Sequence, residues 1–427
     1  MKINRAVIIQ CRLSSTRLPQ KALKPLGGKP ILSWVLESMK KVKADAYYVA
    51  TDRESYPIIN EICQKNGFMC FAGSLDDVLD RYCSLIKEIK PSIVIRATAD
   101  NPFLFYEAAE DSVIEFENKN KGKGKCDYFT YSNLPHGSGI EVFSANSLLK
   151  AQSDTSSQYE KEHVGPALYN HKDSFVCLFE KPSKDYDYPN YRTTVDTYSD
   201  YLHAIMIDQY LSKKSFVPPY KACQIVEACE SKVVQNPIVL IPSTDKGHGT
   251  GHLHRCLQIA ISIPSFIYIP KDATLPGINI IIDEYMKMGL ENWQVINELP
   301  QKDYPAIFVL DDFNTSSEIF EKLNCGKSII SIDEGGSIHE EIDYLLDIIP
   351  SFKIERKANF VDTGYIQKPK NVRSEKSDKI SNILICIGGE DPSSFTIPCV
   401  KIFSEKFPES KITAVGSSIN NSNLENN

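Results

Sequence analysis

Twelve cysteines stand in this 427-residue chain, but no two form a C-x-x-C pair. The common zinc-ribbon and dithiol spacings are therefore missing, and no zinc site is expected. Most of the cysteines lie inside apolar runs such as "FMCF", "FVCLF" and "ILICIGG", as reduced, buried thiols of a cytoplasmic protein do. No apolar run approaches the length of a membrane span. Nor is there an excess of positive charge. The net charge of −7 argues against nucleic acid or a membrane surface as a partner. Met1 leads directly into strand-like sequence without the pattern of a secretory signal, which also favours the cytoplasm.

What is present describes an ordinary globular protein, 42% hydrophobic and 24% charged. Its length exceeds what one core can organise, so two or three lobes are expected. The first half alternates strand-like runs ("AVIIQ", "AYYVAT", "FMCFAG", "SIVIRAT") with helical ones ("ILSWVLESMKKV", "YPIINEICQKNG", "SLDDVLDRYCSLIKEI"). In the last of these, Leu75, Val78, Leu79, Tyr82, Ile86 and Ile89 form an apolar stripe, and Ser74 with Asp77 has capping-box spacing. The pattern predicts an α/β fold with a parallel, Rossmann-type sheet covered by helices. Past residue 120, "YFTYS" and "GIEVFS" read as an excursion of paired strands.

A boundary is expected near "SKVVQNP", giving a first domain over 1–233. A second alternation, "IVLIPS", "SFIYIP", "INIIID", "AIFVLDD" and "SIISIDE", fills 236–375 and closes on a lysine-rich linker. Residues 380–427 then begin a third sheet that is too short to close by itself.

The loop after the first strand, "QCRLSSTRLPQKALK", gathers Arg12, Arg17 and Lys21 around Ser14, Ser15 and Thr16. It carries neither a dinucleotide fingerprint nor a P-loop. From the residues alone it is either a solvated basic turn or a cradle for a triphosphate, and charge runs more often lie at the surface. Asp100 ends the strand "SIVIRATAD" and Asp196 lies in "TTVDT". Two carboxylates at one sheet edge can hold Mg²⁺; each can equally cap or turn the backbone. Gly73 and Ser74 precede a helix as a cap or a substrate contact, and Glu162 and His163 could serve a dimer contact, a substrate contact or a structural hydrogen bond.

The opening "IIQCRLSSTRLPQKALKPLGG" resembles the cytidylyltransferase family of spore-coat polysaccharide protein F and, more distantly, the CMP-sugar synthetases. The resemblance continues through "AGSLDDVLDRY", "VIRATADNPFL", "GIEVFSANSL", "KEHVGPALY" and "YRTTVDTYSDY". Two departures are Cys11 for an alanine and Gln20 for a glycine. A third is His136 where the family has an aspartate. The resemblance implies transfer of CMP from CTP to a sugar acid or related sugar, with Mg²⁺ as cofactor and a homodimer as a plausible assembly. It implies Asp100 and Asp196 as metal ligands. Arg12, Ser14, Ser15, Arg17, Lys21, Arg96 and Thr98 would face the nucleotide, and His136 and Glu141 the sugar.

In the second half, "STDKGHGTGHLHRCLQIA" and the downstream "ILICIGGEDPSSFT" resemble spore-coat polysaccharide protein G and the UDP-sugar hydrolases of pseudaminic acid synthesis. That implies a glycosyltransferase-B-like fold, truncated here, with a UDP-sugar as ligand and His252 as the base that activates water. Gly388, Gly389 and Asp391 would lie at the entry to its second lobe. On residues alone His252 is one of three neighbouring histidines in a glycine-rich turn.

Overall fold

Ala6, Val7, Ile8 and Ile9 are all fully buried, which a strand achieves only when both faces of its sheet are covered. They belong to β1 (Arg5–Gln10), an interior strand of a seven-stranded sheet in a computed structural model. The structure describes residues 3–302, 304–323, 327–348, 356–362, 379–388, 391 and 393–415. The chain divides into two compact units, Met1–Gln235 and Asn236–Asn427.

The other strands of the first unit are β2 (Ala46–Asp52), β3 (Met69–Gly73), β4 (Ile93–Thr98), β5 (Tyr128–Tyr131), β6 (Glu141–Ser144) and β7 (Cys177–Glu180). They lie in the order β3-β2-β1-β4-β6-β5-β7. Only β6 runs against its neighbours, antiparallel to both β4 and β5. Val7 and Ile9 pack with Leu32, Val35, Ile59, Val113 and Phe116, from helices α1 (Ile31–Met39), α2 (Tyr56–Lys65) and α4 (Tyr106–Lys119). Ala6 and Ile8 point the other way, to Leu79, Tyr82 and Leu148 of α3 (Val78–Ile89) and α5 (Ala145–Asp154). The period-2 alternation of β1 therefore feeds two separate cores.

The strands read as an excursion do pair, but they extend the main sheet, because β6 also pairs with β4 and sets Arg96 opposite Glu141. The cap of α3 falls one turn later than expected. Asp77 is the N-cap and accepts from the Asp80 N–H, while the Ser74 hydroxyl accepts from the Asp77 N–H. Leu75 is consequently exposed and outside the apolar stripe.

The second unit has its own seven-stranded sheet, parallel throughout, built on Ile238–Pro242, Ile307–Asp311 and Ser328–Ile332 at its centre. "INIIID" forms no strand there. It opens a helix, Ile278–Lys287, whose Ile278, Ile281, Ile282, Tyr285 and Met286 recur at helical spacing on one core while Ile280 faces out. The strands Asn382–Cys386 and Lys411–Val415 pair in parallel around the helix Thr396–Lys406. Gly389 lies outside the described residues.

One glycine governs how the first unit closes on its site. Gly137 has φ +103°, and a Cβ added there would lie 2.4 Å from the Thr194 backbone nitrogen. Beside it, the His136 carbonyl accepts from the Thr193 and Thr194 N–H groups, docking the segment that leads to Asp196. Gly137→Ala should cost about 2–3 kcal/mol through strain and the backbone clash. Chemical denaturation checks this; an unchanged midpoint would mean that the approach is not tight.

Candidate active site

The loop after β1 is held from behind. The buried Arg81 guanidinium donates to the Cys11 and Ala50 carbonyls, at 3.2 and 3.3 Å, and the Cys11 N–H donates to the Ala50 carbonyl. Gln20, at φ 52° and ψ 34°, occupies the left-handed region and precedes a short 3-10 turn, Lys21–Leu23. Glycine relieves that conformation at little cost, and glutamine adopts it under strain. The turn then aims Lys21 inward.

Lys21 Nζ lies 2.5 Å from an Asp100 oxygen and 2.8 Å from an Asp196 oxygen. The two aspartates meet because the Val195 N–H donates to the Asp100 carbonyl, at 2.9 Å, laying one segment against the end of the other. Thr98 donates its hydroxyl to Asp100, and Asn101 donates to Thr98. Burial opposes the Lys21 charge, but Asp100 and Asp196 together raise its ammonium above the ordinary lysine value. Burial likewise works against the Asp196 charge. Hydrogen bonding and attraction from Lys21, with Arg17 and Arg192, still hold that carboxyl below the usual range.

Asp196 is supported from its far side as well. Helix α7 (Tyr198–Lys213) starts with a capping box, in which Thr197 accepts from the Asp200 N–H and Asp200 accepts from the Thr197 N–H. Asp200 also accepts from the Asp196 N–H and receives both Nε and Nη2 of Arg192, at 2.7 and 2.9 Å. Arg192 reaches Asp196 at 3.1 Å and the His136 ring at 2.5 Å.

A cleft of about 290 Å³ opens over this centre at the carboxyl end of β1 and β4. Arg12, Ser15, Arg17, Lys21, Arg96, Thr98, Asp100 and Asp196 all line it, so most of the nucleotide and metal residues expected from the sequence share one wall. Ser14 does not line it. His136 and Glu141 line an adjoining cleft of about 430 Å³, together with Tyr128, Tyr159 and Tyr169. Glu141 is already engaged: one oxygen pairs with Arg96 and the other accepts from the Tyr128 hydroxyl, at 2.8 Å. Arg96 also donates to Gln10, and Arg12 pairs with Glu162 at 3.0 Å.

Arg192, Asp200 and Gln10 carry no assigned role in the sequence reading, although each stands inside a quoted motif. The available signal was the i−4 and i+4 placement of Arg192 and Asp200 around Asp196. Among the described residues, no three His, Cys, Asp or Glu side chains converge as a metal cage. The protein offers two carboxylates that already share one cation. That donor set suits a hard divalent ion whose remaining ligands are phosphate and water.

In the second unit, His252 lies on the helix Gly251–Ser262, 4% exposed, its Nδ1 2.7 Å from Asp311. Asp311 also receives Arg255 Nε at 2.6 Å and is fully buried. His252 does not line the 260 Å³ cavity found at the carboxyl ends of that sheet's strands. Gly388 adopts φ +69°, and Asp391 caps the helix Thr396–Lys406 by accepting from Phe395 and Thr396 N–H groups.

The site generates an acid-stability prediction. Asp200, despite its burial, is held below the usual carboxylate range by Arg192 and two backbone N–H groups, as Asp196 is by Lys21. A depressed folded value means that this stability is complete above the unfolded carboxyl value, about 4, and is lost as pH falls through the folded values. Asp200→Asn should lower stability at neutral pH by about 1–2 kcal/mol, discounted because Arg192 is partly exposed, and flatten the acid decline. Urea unfolding from pH 3 to 7 checks it, and a decline as steep as wild type would exclude Asp200 as a source.

A family model described as cytidylyltransferase matches residues 6–227, all within the first unit. Spore coat polysaccharide biosynthesis protein SpsF of Bacillus subtilis is 36% identical over 205 residues, 45% of this chain and 82% of that protein. A 3-deoxy-manno-octulosonate cytidylyltransferase of Photobacterium profundum is 26% identical, covering 52% of this chain and 83% of the relative. The structure of a cytidylyltransferase from Leptospira borgpetersenii aligns with a TM-score of 0.48 at 29% identity, over 53% of this chain and 93% of that one. With the family model spanning more than half its length and SpsF matched over most of its own, the chain belongs to the cytidylyltransferase family.

Proposed function

We propose that the first unit moves CMP from CTP to a hydroxyl of a sugar, a sugar acid foremost, and releases pyrophosphate in the synthesis of a surface polysaccharide or nonulosonic-acid-type glycan. Family membership supports the nucleotide, and the names of the relatives support the sugar class. The observation that carries the reading is Lys21 shared between Asp100 and Asp196 beneath an arginine-bearing loop.

The reaction is a displacement at the α-phosphorus, so the protein contributes chiefly position and charge. Arg17 is 67% exposed and Arg12 is held by an exposed ion pair with Glu162, so both can turn onto a triphosphate at little cost. The Ser15 N–H is already given to the Leu13 carbonyl, at 2.9 Å, so the loop would meet the phosphates chiefly with its cations. Asp100 and Asp196 would hold Mg²⁺, which when bound supplies charge neutralisation at phosphate oxygens. Lys21 presents its ammonium to the departing pyrophosphate. The Arg96–Glu141 pair fixes the wall between the nucleotide cleft and the adjoining cleft, which would take the sugar.

Pyrophosphate release across the four triphosphates, with a panel of sugar acids, tests this directly. Release should require CTP, stop with EDTA and return with Mg²⁺. Asp100→Ala and Lys21→Ala should each lose about 10²–10³-fold in turnover, the scale of one preorganised electrostatic group. Near wild-type transfer by either variant would remove that residue from the mechanism.

A second reading is nucleotide-sugar hydrolysis by the second unit, supported by the His252–Asp311 pair beside a glycine-rich turn. Asp311 would hold the ring while His252 draws a proton from water. His252→Ala should then abolish UDP-sugar cleavage and leave CMP transfer unchanged. A wild-type protein that cleaves no UDP-sugar would dispose of this reading.

A further inference from the structure

The two clefts of the first unit meet at Arg96, Thr98 and His163, which line both. Arg96 is committed to Gln10 and Glu141, and the Thr98 hydroxyl to Asp100. His163 is exposed, its ring 4.5 Å from that of Tyr159, and an imidazole is the side chain suited to exchange a proton near neutral pH.

The backbone that presents His163 is strained. Helix α6 (Gln158–His163) ends there, and the next residue, Val164, has φ +66° and ψ −62°. The Gly165 N–H donates to the His163 carbonyl at 2.8 Å, closing a three-residue γ-turn of the rare positive-φ kind. A β-branched side chain is poorly suited to that region, yet Val164 is fully buried and held in it. Its flanks explain how. Glu162 pairs with Arg12 of the nucleotide loop, and a Cβ on Gly165 would lie 2.5 Å from a Glu141 oxygen. Strain of this kind persists only where the surroundings impose it, and it gathers at working sites.

We propose that His163 is the general base of the transfer reaction, taking the proton of the attacking sugar hydroxyl. This rests on the transfer reading above. The hydroxyl O–H bond breaks and its proton passes to an imidazole nitrogen. The oxygen's electron pair forms the new bond to the α-phosphorus. The bond from that phosphorus to pyrophosphate breaks, and its pair leaves with the pyrophosphate. The exposed ring then returns its proton to solvent. The charged groups around the junction are largely paired with one another: Arg12 with Glu162, Arg96 with Glu141, and Lys21 and Arg17 with the two aspartates. His136, on the sugar side, is turned to Arg192. That leaves His163 as the base lining both clefts.

The test measures pyrophosphate release with CTP, Mg²⁺ and the sugar panel for wild type, His163→Gln and His163→Ala between pH 5 and 9. CTP binding by calorimetry serves as a check on folding. Both variants should bind CTP within about threefold of wild type. Their kcat should fall by about 10²–10⁴-fold, and the rise of kcat between pH 5 and 8 should disappear. A raised sugar KM with kcat and pH profile intact would make His163 a binding residue and overturn the assignment, as would full activity. If wild type releases no pyrophosphate with any sugar, the transfer reading itself fails and takes the base with it.

Discussion

One ammonium between two carboxylates organises the first unit's site. Lys21, Asp100 and Asp196 come from three segments far apart in the sequence, and two carboxylates this close would repel each other without a cation between them. The ion pairs are about one-fifth exposed, where desolvation takes back part of the Coulomb gain. Their value is therefore more in geometry than in stability. They require the loop after β1 to fold inward and the 191–197 segment to lie along the end of β4. The Val195-to-Asp100 backbone bond and the close approach at Gly137 serve the same registration.

Under the proposed transfer, the same three residues separate their roles by charge. A triphosphate competes for the lysine, and a divalent ion competes for the carboxylates, so each partner of the resting ion pair has a better one in the substrate complex. Arg192 and Asp200 make that exchange tolerable. Asp196 keeps Arg192 and its own N–H bond to Asp200 whatever Lys21 does. The capping box of α7 is thus both a helix start and the outer support of the site.

Elements whose apolar period is unambiguous were legible from the sequence: β1 to β4, and helices α1 to α3 to within a few residues. Less legible was anything decided at a distance. "YFTYS" and "GIEVFS" read as an excursion of paired strands because local sequence cannot say that β6 has a second partner in β4. "INIIID" reads as a strand from its isoleucines, but Gly277 in the left-handed region and apolar residues one turn apart make it a helix. Asp100 and Asp196 were found through motif order, whereas Arg192 and Asp200 stand in the same motif and look like surface charge until the fold sets them around Asp196. The strain at Val164 has no sequence signal at all, since valine is an ordinary residue everywhere except at positive φ.

The two units show why exposure, and not charge alone, decides what an ionic cluster can do. Asp311 in the second unit is shared in the mirror sense, one carboxylate among several donors: His252, both Nε and Nη2 of Arg255, and the Cys256 thiol at 3.7 Å. It is fully buried, and its lone pairs are spent on donors that cannot leave without stranding a charge in the core. Such a carboxylate orients its neighbours and does not exchange partners. The Lys21 centre has the same economy of opposite charges but forms the wall of an open cleft, where incoming phosphate oxygens can replace each lost contact as it breaks. An ion pair of this kind is stable enough to set the geometry and accessible enough to be taken apart by a substrate.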